Sequence, residues 1–139
     1  MHLTGFYPVI TSADVAAAAA FYRETLGFET TYESDWYVSL RLDRFELAIL
    51  DAGHDTIPEG FRRSPQGVLL NVEVDDVDAV HAALTGRFAD RLRLALRDED
   101  FGQRHFILEA PDGVLLDVIQ PIPPSAEFAA AYADGEAPA

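Results

Sequence analysis

Asp117 is the residue of this chain whose type and setting most clearly suggest chemistry. It lies in Leu115-Leu116-Asp117-Val118-Ile119, where strand alternation sends it to the same face as Leu115 and Ile119. A carboxylate among apolar neighbours needs a partner. That partner could be internal, such as Arg104 or the Tyr7 hydroxyl, or it could be a cation or hydroxyl group of a ligand. Service as a general base would in addition require a positioned substrate.

The four histidines do not form a metal-binding pattern. His2 lies near the N-terminus, His54 in a Gly- and Pro-rich stretch and His81 on a predicted helix, and the chain has no HxH or HxxxH pair. His105 follows Arg104 on a predicted strand and could face a binding site. A single strand histidine is more often hydrogen-bonded within the protein, or at its surface, than bound to a metal ion.

The composition excludes several kinds of function. The chain has no cysteine, which rules out disulfides, thiolate catalysis and zinc sites built from cysteine. Its formal net charge of −14 argues against nucleic acid, because phosphate binding relies on clustered Lys and Arg. The acidity could favour a cationic ligand, although an acidic surface more often serves only solubility.

The chain has the length of one ordinary domain, 139 residues. No apolar run approaches the roughly 20 residues that cross a bilayer, and the N-terminus lacks the pattern of a secretory signal. We therefore expect a soluble cytoplasmic protein.

An internal repeat organises the chain. The segment Tyr7–Leu26 aligns at a constant offset with a segment that begins at Leu69, so that Asp14 falls on Asp76 and Tyr22 on Leu84. Each copy begins with a short strand, predicted at residues 6–10 and 68–74. Each then passes through a polar cap into a helix, because side-chain oxygens there can accept the unpaired N–H groups of the first turn.

Both predicted helices carry one apolar stripe and end at a glycine. In the first, Val15, Ala19, Tyr22 and Leu26 share a face and Gly27 supplies the stop; in the second, the stripe is Val77, Val80 and Leu84 and the stop is Gly86. Each helix should therefore cover a sheet with its apolar face.

Three strands are predicted to follow each helix. They lie at about residues 29–32, 36–42 and 45–50 in the first copy and at about 91–97, 103–108 and 114–119 in the second. A tight turn at Asp43-Arg44 and a turn at Ala110-Pro111-Asp112-Gly113 join the last two strands of each copy. The pattern predicts an α+β fold, a single domain of two tandem βαβββ modules at about 5–50 and 67–121. Between them lies a linker at 51–66, and a C-terminal extension at 122–139 holds a short surface helix and a frayed tail.

Three motifs in this order resemble the vicinal oxygen chelate superfamily, which includes glyoxalase I, extradiol dioxygenases, and bleomycin- and fosfomycin-resistance proteins. They are FYRETLGF closing the first helix, VEVDDVDAVHAAL opening the second module, and DFGQRHFILEAPDGVLLDVIQP near the end. With the repeat, the resemblance covers roughly residues 5–121. It implies that the sheets curl into one mixed sheet around a cup-shaped cavity, with helices on the outer face. It says little about the reaction, because the superfamily spans many.

The resemblance also implies where a divalent metal would bind: at one position on the first and one on the last strand of each module. Those positions carry Tyr7, Ala48, Leu69 and Asp117 here. Only Asp117 is a good ligand, and such ions need about three or more N or O donors. We therefore expect no metal at this site and no other cofactor.

Aromatic side chains are the remaining indication of a ligand. Trp36 and Phe101 each follow a run of polar residues, which suggests positions at the rim of a site where flat rings stack on planar ligands. The stretch from Asp100 to Phe106 resembles the bleomycin-resistance proteins, whose cup holds an antibiotic without altering it. Those proteins usually have Trp where this chain has Phe101.

The sequence thus favours a metal-independent protein that binds a small organic molecule, such as an antibiotic or another cationic aromatic compound. The expected ligand-binding residues are Tyr7, Trp36, Leu69, Asn71, Phe101, Arg104 and Asp117. The resemblance further implies a homodimer. A metal-dependent lyase, isomerase or dioxygenase, a metal-free isomerase or epimerase using Asp117 or His105 as base, and an interaction module with an occluded cup are the alternatives.

Overall fold

The computed structural model describes residues 1–133, and the end of the predicted C-terminal extension, residues 134–139, lies outside the described residues. The chain forms two compact units, each described below by itself. The first comprises residues 1–68 together with 110–114, and the second comprises residues 69–109 together with the described residues from 115 onward.

The first unit contains a four-stranded mixed sheet with one long helix. Strand β1 runs parallel to β4, whereas β4, β3 and β2 are antiparallel to one another, in the spatial order β1-β4-β3-β2. The elements are β1 (Val9–Ser12), α1 (Val15–Leu26), β2 (Glu29–Glu33), β3 (Tyr37–Leu42) and β4 (Phe45–Asp51).

The second unit repeats this arrangement, with the order β5-β8-β7-β6 and the first strand again parallel to the last. The elements are β5 (Leu69–Glu73), α2 (Val77–Phe88), β6 (Leu92–Glu99), β7 (Gln103–Glu109), β8 (Leu115–Pro121) and a short α3 (Ala126–Ala129). The predicted α+β class and the two tandem βαβββ modules are confirmed.

The first helix begins and ends as its sequence predicts. Asp14 caps it by accepting a hydrogen bond from the Ala17 N–H at 3.1 Å. At the other end Gly27 adopts a left-handed φ of 81° and donates its N–H to the Arg23 carbonyl, which is the expected glycine stop. The apolar stripe of α1, including Ala19 and Tyr22, is buried and packs on β3 and β4.

The second helix does not end at Gly86, so this prediction was wrong. The helix continues to Phe88 and passes into a 3-10 turn at Ala89–Arg91, and Gly86 is not among the residues with positive φ. Glycine inside a helix costs only about 1 kcal/mol, which packing of the helix on its sheet can offset. The first strand also begins later than predicted, at Val9 instead of Phe6.

Each sheet turns one face toward its helix and leaves the other free of helices. In the second unit, Phe106 meets His81 of α2 edge-on at 4.9 Å, which identifies the covered face. In the first unit the corresponding buried residues are Val38, Leu40 and Ile49. We call the opposite side of each sheet its helix-free face. The side chains that could bind a ligand or take part in catalysis lie there.

The segment between the two sheets, residues 52–68, contains no strand or helix in the structure. Two contacts hold it to the first unit. The His54 ring stacks on Trp36 with centroids 3.8 Å apart and planes 5° from parallel, and the Thr11 hydroxyl donates to the Arg63 carbonyl at 2.8 Å. None of the helices in residues 1–133 is long and apolar enough to cross a membrane.

Candidate functional site

The acid singled out by the sequence, Asp117, is buried on the central strand β8 of the second sheet, with 6% of its surface exposed. It lies between Asn71 of β5 and Ile107 of β7 in the strand register. Its Oδ1 is 2.8 Å from Nδ1 of His105, which is equally buried and stands two residues away from Ile107 on the same face. The acid therefore has an internal partner, and that partner is His105.

A second carboxylate reaches the other nitrogen of the same ring. Glu99, at the end of β6, places Oε1 at 3.4 Å from His105 Nε2 and also forms an ion pair with Arg97. The hydrogen bond from Arg97 holds the pKa of Glu99 below its usual range, against the opposing effect of desolvation, and the bond from His105 acts in the same direction. His105 thus bridges two carboxylates that come from the two strands beside its own.

Both nitrogens of His105 face carboxylate oxygens, which accept hydrogen bonds. The row Asp117–His105–Glu99 is therefore a continuous set of polar groups beneath the helix-free face of the second sheet.

Three further residues predicted for the site lie around this row. Asn71 is exposed and pairs with Asp117 in the register, and Leu69, two residues earlier on the same face, is 52% exposed. Phe101, in the turn between β6 and β7, is 40% exposed, and its ring centroid is 6.4 Å from that of His105. The second unit therefore places Asn71 beside Asp117 and Phe101 beside His105, whereas Leu69 lies level with Leu115, toward the opposite end of β8 from Phe101.

Arg104 lies on the covered face of the same sheet and is not the partner of Asp117. Its guanidinium binds Asp78 of α2 at 2.8 Å and Asp98 of β6 at 3.0 Å. The bond from Arg104 lowers the pKa of Asp78. Strand alternation explains the placement, because Arg104 is adjacent to His105 and so points the opposite way.

The two remaining predicted residues, Tyr7 and Trp36, belong to the first unit. Tyr7 precedes β1, is 49% exposed and interacts with the hydroxyl of Tyr37. Burial raises the pKa of Tyr37, and a hydrogen bond to Ser39 opposes this shift. Trp36 precedes β3, and the stacked ring of His54 covers one of its faces.

The strand registers show which positions of the two sheets correspond. Ala48 pairs with Val9 and Ser39, just as Asp117 pairs with Asn71 and Ile107. Tyr37 pairs with Leu50, and His105 pairs with Ile119. Tyr37 and His105 therefore occupy corresponding positions in the two sheets. Sequence reasoning named His105 as an alternative base without pairing it with Asp117, and it did not include Tyr37 among the ligand-binding residues. Each ring stands two residues before the partner of Ala48 or Asp117 and could have been found by aligning the third strand of each module.

The residues at the superfamily's metal positions do not fit a divalent metal. Ala48 and Leu69 offer no donor atom, Tyr7 offers a phenol, and Asp117 is already bound by His105. Within residues 1–133 no three His, Asp or Glu side chains are grouped so that they could hold an ion.

Two surface depressions lie away from Asp117 and His105. One of about 490 Å³ in the first unit is lined by Thr11, Phe61, Arg63, Ser64, Pro65 and Gln66. Another of about 410 Å³ in the second unit is lined by Glu73, Val74, Asp75, Gln120 and Pro121. Neither is lined by a histidine or by the aromatic residues described above, so the helix-free face around His105 remains the better candidate.

Comparison with known proteins agrees with the fold. The family model of the glyoxalase/bleomycin resistance protein/dioxygenase superfamily matches residues 2–118. A lactoylglutathione lyase from Agrobacterium tumefaciens is similar in structure, with a TM-score of 0.67 and 19% identity over 86% of this chain and 95% of that one. The bleomycin resistance determinant encoded on transposon Tn5 gives a TM-score of 0.61 and 21% identity over 86% and 98%.

A third solved structure, a protein of unknown function from Agrobacterium tumefaciens strain C58, gives a TM-score of 0.68 and 25% identity over 88% of this chain and 97% of that one. No curated protein matches the chain significantly. The match to the family model covers most of the sequence and both sheets. The chain belongs to the glyoxalase/bleomycin resistance protein/dioxygenase superfamily.

Proposed function

We propose that this protein binds a small organic molecule on the helix-free face of its second sheet, without the help of a metal ion. The observation that carries the proposal is the buried pair of His105 and Asp117, with exposed Asn71 beside Asp117, exposed Phe101 beside His105 and exposed Leu69 further along the same face. A buried pair of polar groups beside exposed apolar and aromatic groups is typical of small-molecule sites, where a few polar groups orient a ligand that apolar surface holds.

The residues at the metal positions support binding without a metal ion. Two of the four have no donor atom, and the acid that could serve is held at 2.8 Å by an imidazole. A metal ion would have to displace His105 from Asp117 and would still lack ligands. The polar side chains of Asn71 and Glu99, which border the buried pair, are instead suited to hydrogen-bond an organic ligand.

Sequestration of an antibiotic is the form of binding that the bleomycin-type segment favours. We expect the ligand to be aromatic, cationic or both, with Tyr7 and Trp36 as further contacts from the first unit. We further propose that the protein is a homodimer and that it acts in the cytoplasm. Its two modules would span residues 5–50 and 67–121, joined by a linker at 51–66.

Calorimetric titration of the full chain in the presence of a chelator tests this function. The ligands are bleomycin and a panel of cationic and neutral aromatic compounds. We expect saturable binding of at least one of them, weakened about tenfold or more by Asp117→Asn, because the loss of one charged contact is worth roughly 1.5–3 kcal/mol. Asp90→Asn, an exposed acid of the 3-10 turn, is the matched control and should bind normally.

Two results would contradict the proposal. One is the absence of binding across the panel by a folded protein. The other is a requirement for a stoichiometric metal ion, shown by elemental analysis after purification without chelator and by activity that returns when the metal is added back.

A metal-free isomerase or epimerase is the second candidate, because the His105–Asp117 pair resembles a general base and its orienting carboxylate. Asp117 holds Nδ1 of the ring, which leaves Nε2 to exchange a proton with a substrate once Glu99 moves aside. An enzyme of this kind should incorporate deuterium from solvent into its substrate. Asp117→Asn should then abolish turnover and spare binding, whereas equal loss of both would support the binding role.

A further inference from the structure

The segment that follows β8 is attached to the turn between β6 and β7. The Ile122 N–H donates to the Gly102 carbonyl at 2.9 Å, and the Ser125 N–H donates to the Asp100 carbonyl at 2.8 Å. Gly102 has a φ of +109°, and a Cβ there would lie 3.0 Å from the Ile122 carbonyl oxygen and 3.2 Å from Cβ of Pro124. Only glycine allows this approach, so the turn and the segment fit each other closely.

This attachment brings α3 beside the candidate site. The ring of Phe128 meets that of Phe101 edge-on, with centroids 6.2 Å apart, and Phe101 in turn meets His105 at 6.4 Å. The three rings form a row that leads from the surface to the buried pair of His105 and Asp117. Edge-on packing of this kind fixes ring orientation as well as contributing apolar contact.

The outer part of this row stays open. Phe101 and Phe128 remain 40% and 39% exposed although they pack on each other. Each also follows an exposed acid, Asp100 and Glu127 respectively, and neither acid has an ion pair within the part of the chain that the structure describes. By contrast Asp98 and Glu99 are neutralised by Arg104 and Arg97.

We propose that Phe128 and Phe101 form an aromatic wall of the ligand site, and that the wall takes a planar aromatic group carrying a positive charge. The inference rests on the binding function proposed above and adds the C-terminal segment to the site. Ring faces attract cations, and the two unpaired acids beside the wall disfavour an anionic ligand of the same shape.

A pair of tricyclic probes of matched shape tests the wall. The cation is 10-methylacridinium and the anion is 9-anthracenecarboxylate, each titrated against the full chain by fluorescence anisotropy. We expect the cation to bind at least about tenfold more tightly than the anion. Phe128→Ala should weaken the cation about tenfold, Phe128→Trp should retain its affinity, and Glu127→Gln should weaken it about threefold.

Phe45→Ala is the control for Phe128→Ala, because Phe45 is a comparably exposed ring, 56%, on the first unit. Glu59→Gln, in the segment between the sheets, is the control for Glu127→Gln. Both controls should leave the affinity unchanged. Thermal unfolding of each variant confirms folding, and Phe128→Leu replaces Phe128→Ala if the latter does not fold.

The outcomes separate this inference from the proposed function. If Asp117→Asn weakens the cation and Phe128→Ala does not, the site exists and the aromatic wall does not. If the wild-type protein binds the anion as well as the cation, or binds neither, the assignment of an aromatic cation is overturned while the ligand panel still decides the proposed function. Loss of affinity in Phe128→Ala and recovery in Phe128→Trp support the wall.

Discussion

The helix-free faces of the two sheets share one strand arrangement but carry different polar groups. In the first unit the central positions hold Ala48, Ser39 and the ring of Tyr37, so the polar groups are neutral hydroxyls. In the second unit the corresponding positions hold Asp117, Ile107 and His105, so the polar groups are a buried carboxyl and a buried imidazole. The same sheet arrangement thus occurs twice, once with hydroxyl groups and once with a buried acid–imidazole pair.

The difference shows that repetition preserves geometry more strictly than chemistry. The parallel pairing of first and last strands and the position of the ring relative to the central residue are the same in both sheets. Backbone hydrogen bonding fixes these features whatever the side chains are. The helix-free face is free to diverge because its residues do not have to fit a helix.

The largest expected effect comes from removing Asp117, the buried acid of the second sheet. Asp117→Ala leaves the buried His105 without its closest partner and should reduce the free energy of unfolding by about 3 kcal/mol. Removing both partners in Asp117→Ala/His105→Phe should cost less than the single change, since no buried polar group is stranded. Urea unfolding measures both, and a loss in the double variant as large as or larger than that in Asp117→Ala would contradict the stranding of His105.

The next largest effect on stability is expected from replacing a glycine, and it should differ between Gly102 of the second unit and Gly27 of the first. Gly102→Ala places a Cβ against the Ile122 carbonyl and in a left-handed backbone, and it should cost about 2–3 kcal/mol. Gly27→Ala, with a φ of +81° but open space around the new Cβ, should cost about 1 kcal/mol. Thermal unfolding ranks the two variants, and the reverse order would mean that the C-terminal segment is not held to the turn as described.

A smaller effect distinguishes two tyrosines of the first unit. The buried hydroxyl of Tyr22 has no hydrogen-bond partner in the described residues, so Tyr22→Phe should be neutral or stabilise by up to about 1 kcal/mol. Tyr37→Phe, which removes a hydroxyl bonded to Ser39 and Tyr7, should cost about 0.5 kcal/mol. The two denaturation midpoints should therefore move in different directions, and destabilisation by Tyr22→Phe would reveal a bridging water between Tyr22 and Asp112.

The smallest effect is that the units should lose stability at opposite ends of the pH scale. Burial raises the pKa of Tyr22 and Tyr37, so the stability that their neutral phenols provide is present below the ordinary value of 10.0 and declines as the pH rises above it. Hydrogen bonds from arginine lower the pKa of Asp78 and Glu99, so their contribution is present above the ordinary values of 3.8 and 4.5 and declines as the pH falls below them.

Urea midpoints at pH 3, 7 and 10.5 measure this difference. Tyr22→Phe/Tyr37→Phe should flatten the alkaline decline, and Asp78→Asn should flatten part of the acid decline. Because the Asp78 side chain is 60% exposed to solvent, salt at about 1 M should shrink its contribution. An acid decline that Asp78→Asn leaves unchanged would assign it to other carboxylates.

Much of the fold could be predicted because local signals agreed with one another. The caps Asp14 and Asp76, the stop at Gly27 and the tight turn at Asp43-Arg44 all appear where the sequence places them. The end of α2 could not be predicted from Gly86, because packing of the helix on its sheet outweighs the weak local preference of one glycine.

The candidate site could be predicted only in part. Leu69, Asn71 and Asp117 share one face of the second sheet, because strand alternation on β5 and β8 sets it, and Phe101 reaches His105 from the turn between β6 and β7. His105 was considered only as an alternative base, and Glu99 and Phe128 were missed, since the proximity of these residues depends on the register of β6 on β7 and on the course of the chain after β8.

The sequence by itself determined the repeat, the order of elements and the face on which Asp117 lies, because these follow from periodicity and from residue-specific caps and turns. Only the tertiary structure decided which residue pairs with that acid. His105 and Arg104 are neighbours in the chain, but they point to opposite faces, and the strand register brings His105 to Asp117 and Arg104 to α2. A shift of one residue in that register would exchange the two roles, and no local signal in the sequence fixes it.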